Sequence, residues 1–344
     1  MKTGNLLRET LDRILAAETL VLATHLKPDG DAIGALLGLA GFLRSRGKNP
    51  VVLLPQGIPE LYQLGPAEYL TASPVDWHDF ELAVLLDTAI PARAAFGAEG
   101  DVPEALRDRL LVIDHHPDNP GFGRWNCLRP VAATAEIVLE LAERDPGTLP
   151  RAAADWLLLG LVTDTGGFRF DNTTAETFRS AARLLEAGAS LNRVVNRIFF
   201  SKPYRQQLFE GELLSHHVRW AADGRMAWAV VTPELLRKYD FDMRNAEGVI
   251  DILRAIAGVE VVALISRRDE GFRVSLRSKN PAIPVVELAH KYHGGGHAMA
   301  AGMTVAAADF AAVEALLEQE AAGLFAHAPK PEADSAGKSA GRTE

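Results

Sequence analysis

Four short apolar runs constrain this chain more than any other feature: TLVLAT (19–24), NPVVLL (49–54), ELAVLLD (81–87) and RLLVID (109–114). Each suits a buried strand and is too short for a helix. Helical stretches separate several of them, among them an amphipathic segment over 5–17 and AIGALLGLAGFLRSRG (32–47), closed by Gly47. Strands that are apolar throughout and alternate with helices predict an α/β fold, a doubly wound and mostly parallel sheet with both faces covered. Further helices are expected over 131–144, 151–163 and 174–188, with Pro146-Gly147 breaking the first two apart.

A second set of elements begins at RMAWAVVT (225–232). Helices near 233–239 and 245–257, strands near 259–267 and 271–278, and a helix near 284–292 follow. Gly294-Gly295-Gly296-His297, a strand near 302–305 and a helix near 309–325 complete it. The expected organisation is therefore a first domain over 1–190, a helical connector over 191–220, a smaller α/β domain over 221–327 and a disordered tail over 328–344. The tail is small, polar and proline-containing. The active site is expected in the cleft between the two domains.

The chain has 344 residues and a formal charge of −9, which argues against gripping long duplex nucleic acid by a general basic surface. Its single cysteine, Cys127, can close no internal disulfide and build no zinc–thiolate site, so a reducing, cytoplasmic setting is expected. Asp12, Arg13 and Glu18 interrupt any signal-peptide core. No apolar run reaches the ~18 residues of a membrane span.

Metal-binding chemistry is suggested by what stands at the ends of the apolar runs. His25, Asp29 and Asp31 lie on one loop after the first strand, with Gly30 permitting a tight bend between the two carboxylates. Asp87 ends the third strand, and Asp114-His115-His116 ends the fourth. Asp164 closes an apolar helix ahead of Thr165-Gly166-Gly167. In a doubly wound sheet the carboxyl ends of the strands border the ligand crevice. A lone aspartate in such a place is most often a turn former or a helix cap, and Asp31 could be the N-cap of the next helix. Four element ends with suitable ligands make coincidence a poor account. Carboxylates packed this closely repel one another unless divalent cations relieve the charge. Oxygen and imidazole ligands without thiolate suit Mn²⁺ or Mg²⁺, and the histidines favour Mn²⁺. Two such ions, about 3.5–4 Å apart, can hold a hydroxide and stabilise in-line displacement at phosphorus.

In the second half, Phe272, Val274 and Leu276 alternate with Arg273, Ser275 and Arg277. This reads as a half-buried strand with a basic face. Arg277 could grip a terminal phosphate in a bidentate manner, and Ser278 could add a hydrogen bond. Arg273 reads as solvated at a strand edge. Gly294, Gly295 and Gly296 permit close backbone approach to an anion, and His297 could donate to a phosphate oxygen. A flexible turn is the plainer alternative for that triplet.

THLKPDGDAIG, LLDT, IDHHP and VTDTGGFRF closely resemble the DHH phosphoesterase family. NAEGVIDILRAIAGVEVVALI, FRVSLRS and GGGHAMAAG resemble its DHH-associated C-terminal domain, so the likeness spans roughly residues 5–325. The best match is the compact oligoribonuclease and 3′-phosphoadenosine-5′-phosphate phosphatase (nanoRNase) subgroup. The resemblance implies one metal held by His25, Asp29 and Asp87, and a second by Asp31, Asp87, His115 and Asp164. His116 would meet the scissile phosphate or help protonate the leaving oxygen, and Asp114 would orient a histidine. The implied reaction is attack of a metal-activated hydroxide on short oligoribonucleotides or on 3′-phosphoadenosine 5′-phosphate. Cyclic-di-AMP or linear dinucleotide hydrolysis is the alternative within the family, and a catalytically silent nucleotide sensor is the alternative outside enzymes. The expected partner is a short RNA or a nucleotide bisphosphate, with no membrane and with a homodimer left open.

Overall fold

The computed structural model describes residues 3–326 except 73–75, 98, 244–247 and 269–270, so the expected tail lies outside the described residues. The chain divides into two compact units, Met1–Ser201 and Lys202–Glu344.

The first unit runs α1 (Thr3–Ala16), β1 (Leu20–Ala23), α2 (Gly30–Ser45), β2 (Val51–Val52), β3 (Leu82–Leu86), α3 (Glu104–Arg107), β4 (Leu110–Asp114), β5 (Trp125–Leu128), α4 (Thr134–Ala142), α5 (Arg151–Asp164), α6 (Ala175–Glu186) and α7 (Leu191–Phe199). Its five strands are all parallel, in the order β2-β1-β3-β4-β5. Alternate strand residues serve two cores, as the period of two demands. Leu20, Leu22, Val84, Leu86, Leu111 and Ile113 join the side chains of α1, α2, α4 and α5. Val21, Ala23, Ala83, Leu85 and Val112 face the other way, onto Phe80, Phe96, Val102 and Leu106. Long helices thus cover one face, while loops and the short α3 cover the other.

Glycines let α2 and α5 come unusually close. A Cβ at Gly34 would meet the Trp156 carbonyl oxygen at 2.5 Å and the Gly160 nitrogen at 2.6 Å. At Gly30 it would meet Thr163 at 2.4 Å. Gly30 is the first residue of α2, so its role is this close approach and not the tight bend expected from sequence.

The second unit runs α8 (Tyr204–His216), β6 (Val218–Ala221), β7 (Met226–Val231), α9 (Pro233–Tyr239), α10 (Val249–Arg254), β8 (Val261–Arg268), β9 (Gly271–Ser278), α11 (Val285–Lys291), β10 (Gly295–His297), β11 (Ala300–Val305) and α12 (Phe310–Leu324). The sheet order is β10-β11-β9-β8-β7-β6, with only β7 and β8 parallel. One face packs on α11 and α12 through Trp228, Ala263, Ile265, Phe272, Val274 and Met303. On the other face, Phe209 and Leu213 of α8, Leu235 of α9 and Leu253 of α10 cover Ala227, Ala229, Val262 and Leu264. That second cluster rests on β7 and β8, while β9 turns the half-buried Arg273, Ser275 and Arg277 to this side.

The stretch expected to be a helical connector, 191–220, is shared out. Val194 of α7 is buried in the first unit's core, whereas Phe209 and Leu213 of α8 belong to the second unit's. Its last residues form β6, and the paired His216-His217 sits at the end of α8. No helix among the described residues is long and apolar enough to cross a membrane.

Candidate metal centre

Three adjacent parallel strands, β1, β3 and β4, end side by side, and the side chains that follow them meet. Hydroxyls of Thr24 and Thr88 both donate to the Leu86 carbonyl, at 2.9 and 3.0 Å, tying the ends of β1 and β3 together. Asp87 then takes a left-handed conformation, φ 54°, which aspartate tolerates better than most residues. His25 Nε2 lies 3.9 Å from Asp29 Oδ2 and 3.8 Å from Asp87 Oδ2. His115 Nε2 lies 3.6 Å from Asp87 Oδ1, 4.0 Å from Asp31 Oδ2 and 3.3 Å from Asp164 Oδ2. Two sets of ligand atoms, His25–Asp29–Asp87 and Asp31–His115–Asp164, are each gathered within 4.8 Å. Asp87 offers one oxygen to each histidine.

The supporting bonds orient these groups. Nδ1 of His25 faces the Leu26 carbonyl at 2.9 Å, and Nδ1 of His115 faces the Val131 carbonyl at 3.1 Å. A proton on each Nδ1 leaves the Nε2 lone pair aimed at the carboxylates. Arg93 Nη2 also comes to 3.1 Å from Nδ1 of His25. Nδ1 cannot donate to the carbonyl and accept from Arg93 at once, and the carbonyl is the nearer of the two. Asp29, not Asp31, is the N-cap of α2, accepting from the Ala32 N–H at 3.0 Å. Asp31 sits in the first turn and accepts from the backbone N–H groups of Thr134 and Ala135, at 2.6 and 3.0 Å. Asp114 is fully buried and accepts from His115 N–H, from His116 Nδ1 at 2.7 Å and from Asn119 at 2.6 Å. Those bonds use up its carboxylate, so it orients His116. Nδ1 of His116 is likewise spent on Asp114, and any proton transfer by His116 runs through Nε2.

The charges fit a cation site. Burial, then neighbouring carboxylates, pushes Asp31 and Asp164 well above the usual range and Asp87 upward. Burial would also raise Asp29, but His25 and the Ala32 N–H outweigh it. Burial disfavours a charged His116, yet the Asp114 hydrogen bond and the Asp87 and Asp114 charges raise it to about 10. Among the described residues, every ion pair of Asp29, Asp31, Asp87 and Asp164 is to a histidine and none to lysine or arginine. Crowded carboxylates with no fixed positive partner are a donor set for divalent ions.

In the second unit, cross-strand register places His297, Ala300, Arg277 and Val262 in one row of a single sheet face. Gly295, Gly302, Ser275 and Leu264 form the next row, and Arg273 lies across Gly302. Arg273 is on an interior strand, correcting its expected place at an edge. Ser278 cannot serve a ligand. It is fully buried, and its hydroxyl bonds the Asn280 carbonyl while accepting the Asn280 N–H. Gly295, Gly296 and His297 form an exposed edge strand in place of the expected turn, with Gly294 just ahead of it. A Cβ at Gly294 or Gly296 would strike β11 backbone at 2.3 or 2.5 Å, whereas one at Gly295 would meet nothing within 4 Å. Two of the three glycines therefore answer to strand packing.

Thr134, Asn119 and Asn172 were not foreseen from sequence. Thr134 donates its hydroxyl to Asp87 Oδ1 at 2.9 Å, and Asn172 ties the carbonyls of Ala132 and Asp164 together at 3.1 Å each.

Acidic and imidazole groups at the ends of a parallel sheet, with a separate sheet bearing arginine and histidine, define a phosphoester-cleaving class of protein. The chain belongs to the DHH phosphoesterase family: the model for the DHH family, N-terminal domain, matches residues 19–161, and that for the DHHA1 domain matches 224–323. It is similar to the bifunctional oligoribonuclease and PAP phosphatase NrnA of Thermus thermophilus, 34% identical over 302 residues, covering 87% of this chain and 88% of the relative. The Bacillus subtilis protein of that name is 28% identical over 308 residues, covering 86% and 92%. A crystal structure of an exopolyphosphatase-related protein from Bacteroides fragilis shares the fold, with a TM-score of 0.80 at 24% identity over 94% of this chain and 96% of that one. The protein is an enzyme, a phosphoesterase.

Proposed function

We propose that the chain hydrolyses phosphoester bonds in short oligoribonucleotides and in 3′-phosphoadenosine 5′-phosphate, with two divalent ions, Mn²⁺ foremost. The observation that carries this reading is the carboxylate cluster whose ion-pair partners, among the described residues, are histidines. The names of the relatives from T. thermophilus and B. subtilis support the substrate class. His25, Asp29 and Asp87 would hold one ion, and Asp31, Asp87, His115 and Asp164 the other. When bound, the ions supply an activated water and neutralise charge developing at phosphorus. The chain's own residues do the rest. Asp114 holds His116 by Nδ1, so Nε2 delivers a proton to the departing oxygen. Arg277 and His297 bind a phosphate that is not cleaved, with Gly295 leaving room for backbone contact.

The test is turnover with Mn²⁺ of a panel holding 3′-phosphoadenosine 5′-phosphate, di- to pentaribonucleotides, cyclic dinucleotides, single-stranded DNA and pyrophosphate. The expected result is turnover of the first two, abolished in Asp87→Ala without loss of fold. Preference for cyclic dinucleotides would move the chain to the alternative substrate. Nucleotide binding with no Mn²⁺-dependent turnover would make it a sensor.

A further inference from the structure

The N-terminus of α4 is built in an unusual way. Ala133 stands at the N-cap and makes no side-chain cap bond, while Thr134, a natural capping residue, sits one place inside the helix. The cap comes from 103 residues away, since the Asp31 carboxylate takes the Thr134 N–H and is joined by Ala135 N–H. Glu136 reaches back to the Ala132 N–H at 3.2 Å and is itself held by Ser180 at 2.8 Å. The Thr134 side chain, relieved of capping and fully buried, donates to Asp87 Oδ1. The segment thus touches Asp31 and Asp87 directly, and His115 through the Val131 carbonyl.

We infer that Thr134 is a positioning residue that sets how Asp87 divides its two oxygens between the two ligand groups, while the α4 N-terminus fixes Asp31. A carboxylate at the end of a strand can rotate about its last bond. One donated hydrogen bond on Oδ1 selects the rotation in which Oδ2 faces His25 and Oδ1 faces His115. Losing the hydroxyl frees that rotation and leaves a buried oxygen short of a donor. The inference rests on the reading of this cluster as a metal centre.

Thr134→Val keeps the shape and removes only the hydroxyl, and Thr134→Ser keeps the hydroxyl. Mn²⁺ binding to the full chain is measured by calorimetry, beside kcat and KM for 3′-phosphoadenosine 5′-phosphate. Thr134→Val is expected to weaken Mn²⁺ binding on the order of 10–100-fold and to lower kcat with little change in KM, while Thr134→Ser stays near wild type. If Thr134→Val fails to fold, the pair Thr134→Ser and Thr134→Ala isolates the same hydroxyl. Wild-type Mn²⁺ affinity in Thr134→Val, or equal losses in Ser and Ala, would overturn the role of Thr134. Absence of Mn²⁺ binding by the wild-type chain would instead overturn the metal reading.

Discussion

His116 and Asp114 form a pair whose titration should be visible in catalysis. The short bond to Asp114 and the surrounding carboxylates keep His116 protonated, against the cost of burial. Bound cations would draw its value down from about 10, toward a range where the rate can report it. Asp114→Asn removes the partner charge, so His116 loses its proton at lower pH. The basic limb of the kcat profile should move down by about a pH unit or more. An unmoved limb would mean that His116 donates no proton in the rate-limiting step. Much at this scale was legible in the sequence, because aspartates and histidines at the ends of apolar runs have few other reasons to recur. Thr134 was not, since its partner Asp87 is set by tertiary contact. Ser278 was misread although the pattern held the answer: it follows Phe272, Val274 and Leu276 by the same period of two, onto the buried side.

The pairing of α2 with α5 bears on how precisely the proposed ligands would be held, because Asp31 rides on one helix and Asp164 ends the other. Gly34→Ala would press a methyl group into the backbone of Trp156 and Gly160, atoms that cannot rotate away. The expected loss is ~1–3 kcal/mol, read as a lower midpoint in urea with an unchanged slope. No loss would mean that the helices can part without cost. Most helices and the apolar strands were predictable from periodicity, but three strands were not. β5 is half-buried, and β6 exposes Arg219 and Trp220, so neither shows a clean apolar alternation. Gly295 and Gly296 of β10 offer no side chains to alternate, which is why an edge strand read as a turn.

For the whole molecule, the division of labour makes separable predictions. Arg277→Ala or His297→Ala should raise KM for 3′-phosphoadenosine 5′-phosphate far more than either alters Mn²⁺ affinity. Unchanged kinetics in both variants would remove the second sheet from substrate binding. Stability should respond to metal in a pH-dependent way. Asp31 and Asp164 hold protons more tightly when folded than at the ordinary value of 3.8. Stability of the metal-free chain therefore falls as pH climbs from that value through the raised ones. Mn²⁺ bound at the proposed site would relieve this penalty, so the Tm gain on adding it should be larger at pH about 8 than at about 5. Equal gains at both would show that the carboxylates are relieved by something other than the ions.

The six proposed ligands come from segments spread between residues 25 and 164, and their carboxylates repel one another where the strand and helix ends meet. Two divalent ions seated there, as proposed, would act as a reversible clasp across residues 25–164. The persistence of the enzyme then becomes a gauge of metal supply. Stripped with EDTA, the chain should open often enough for trypsin to cut it quickly, and Mn²⁺ should lengthen its survival. On the proposed metal reading, a cell short of manganese would lose the protein itself along with its turnover.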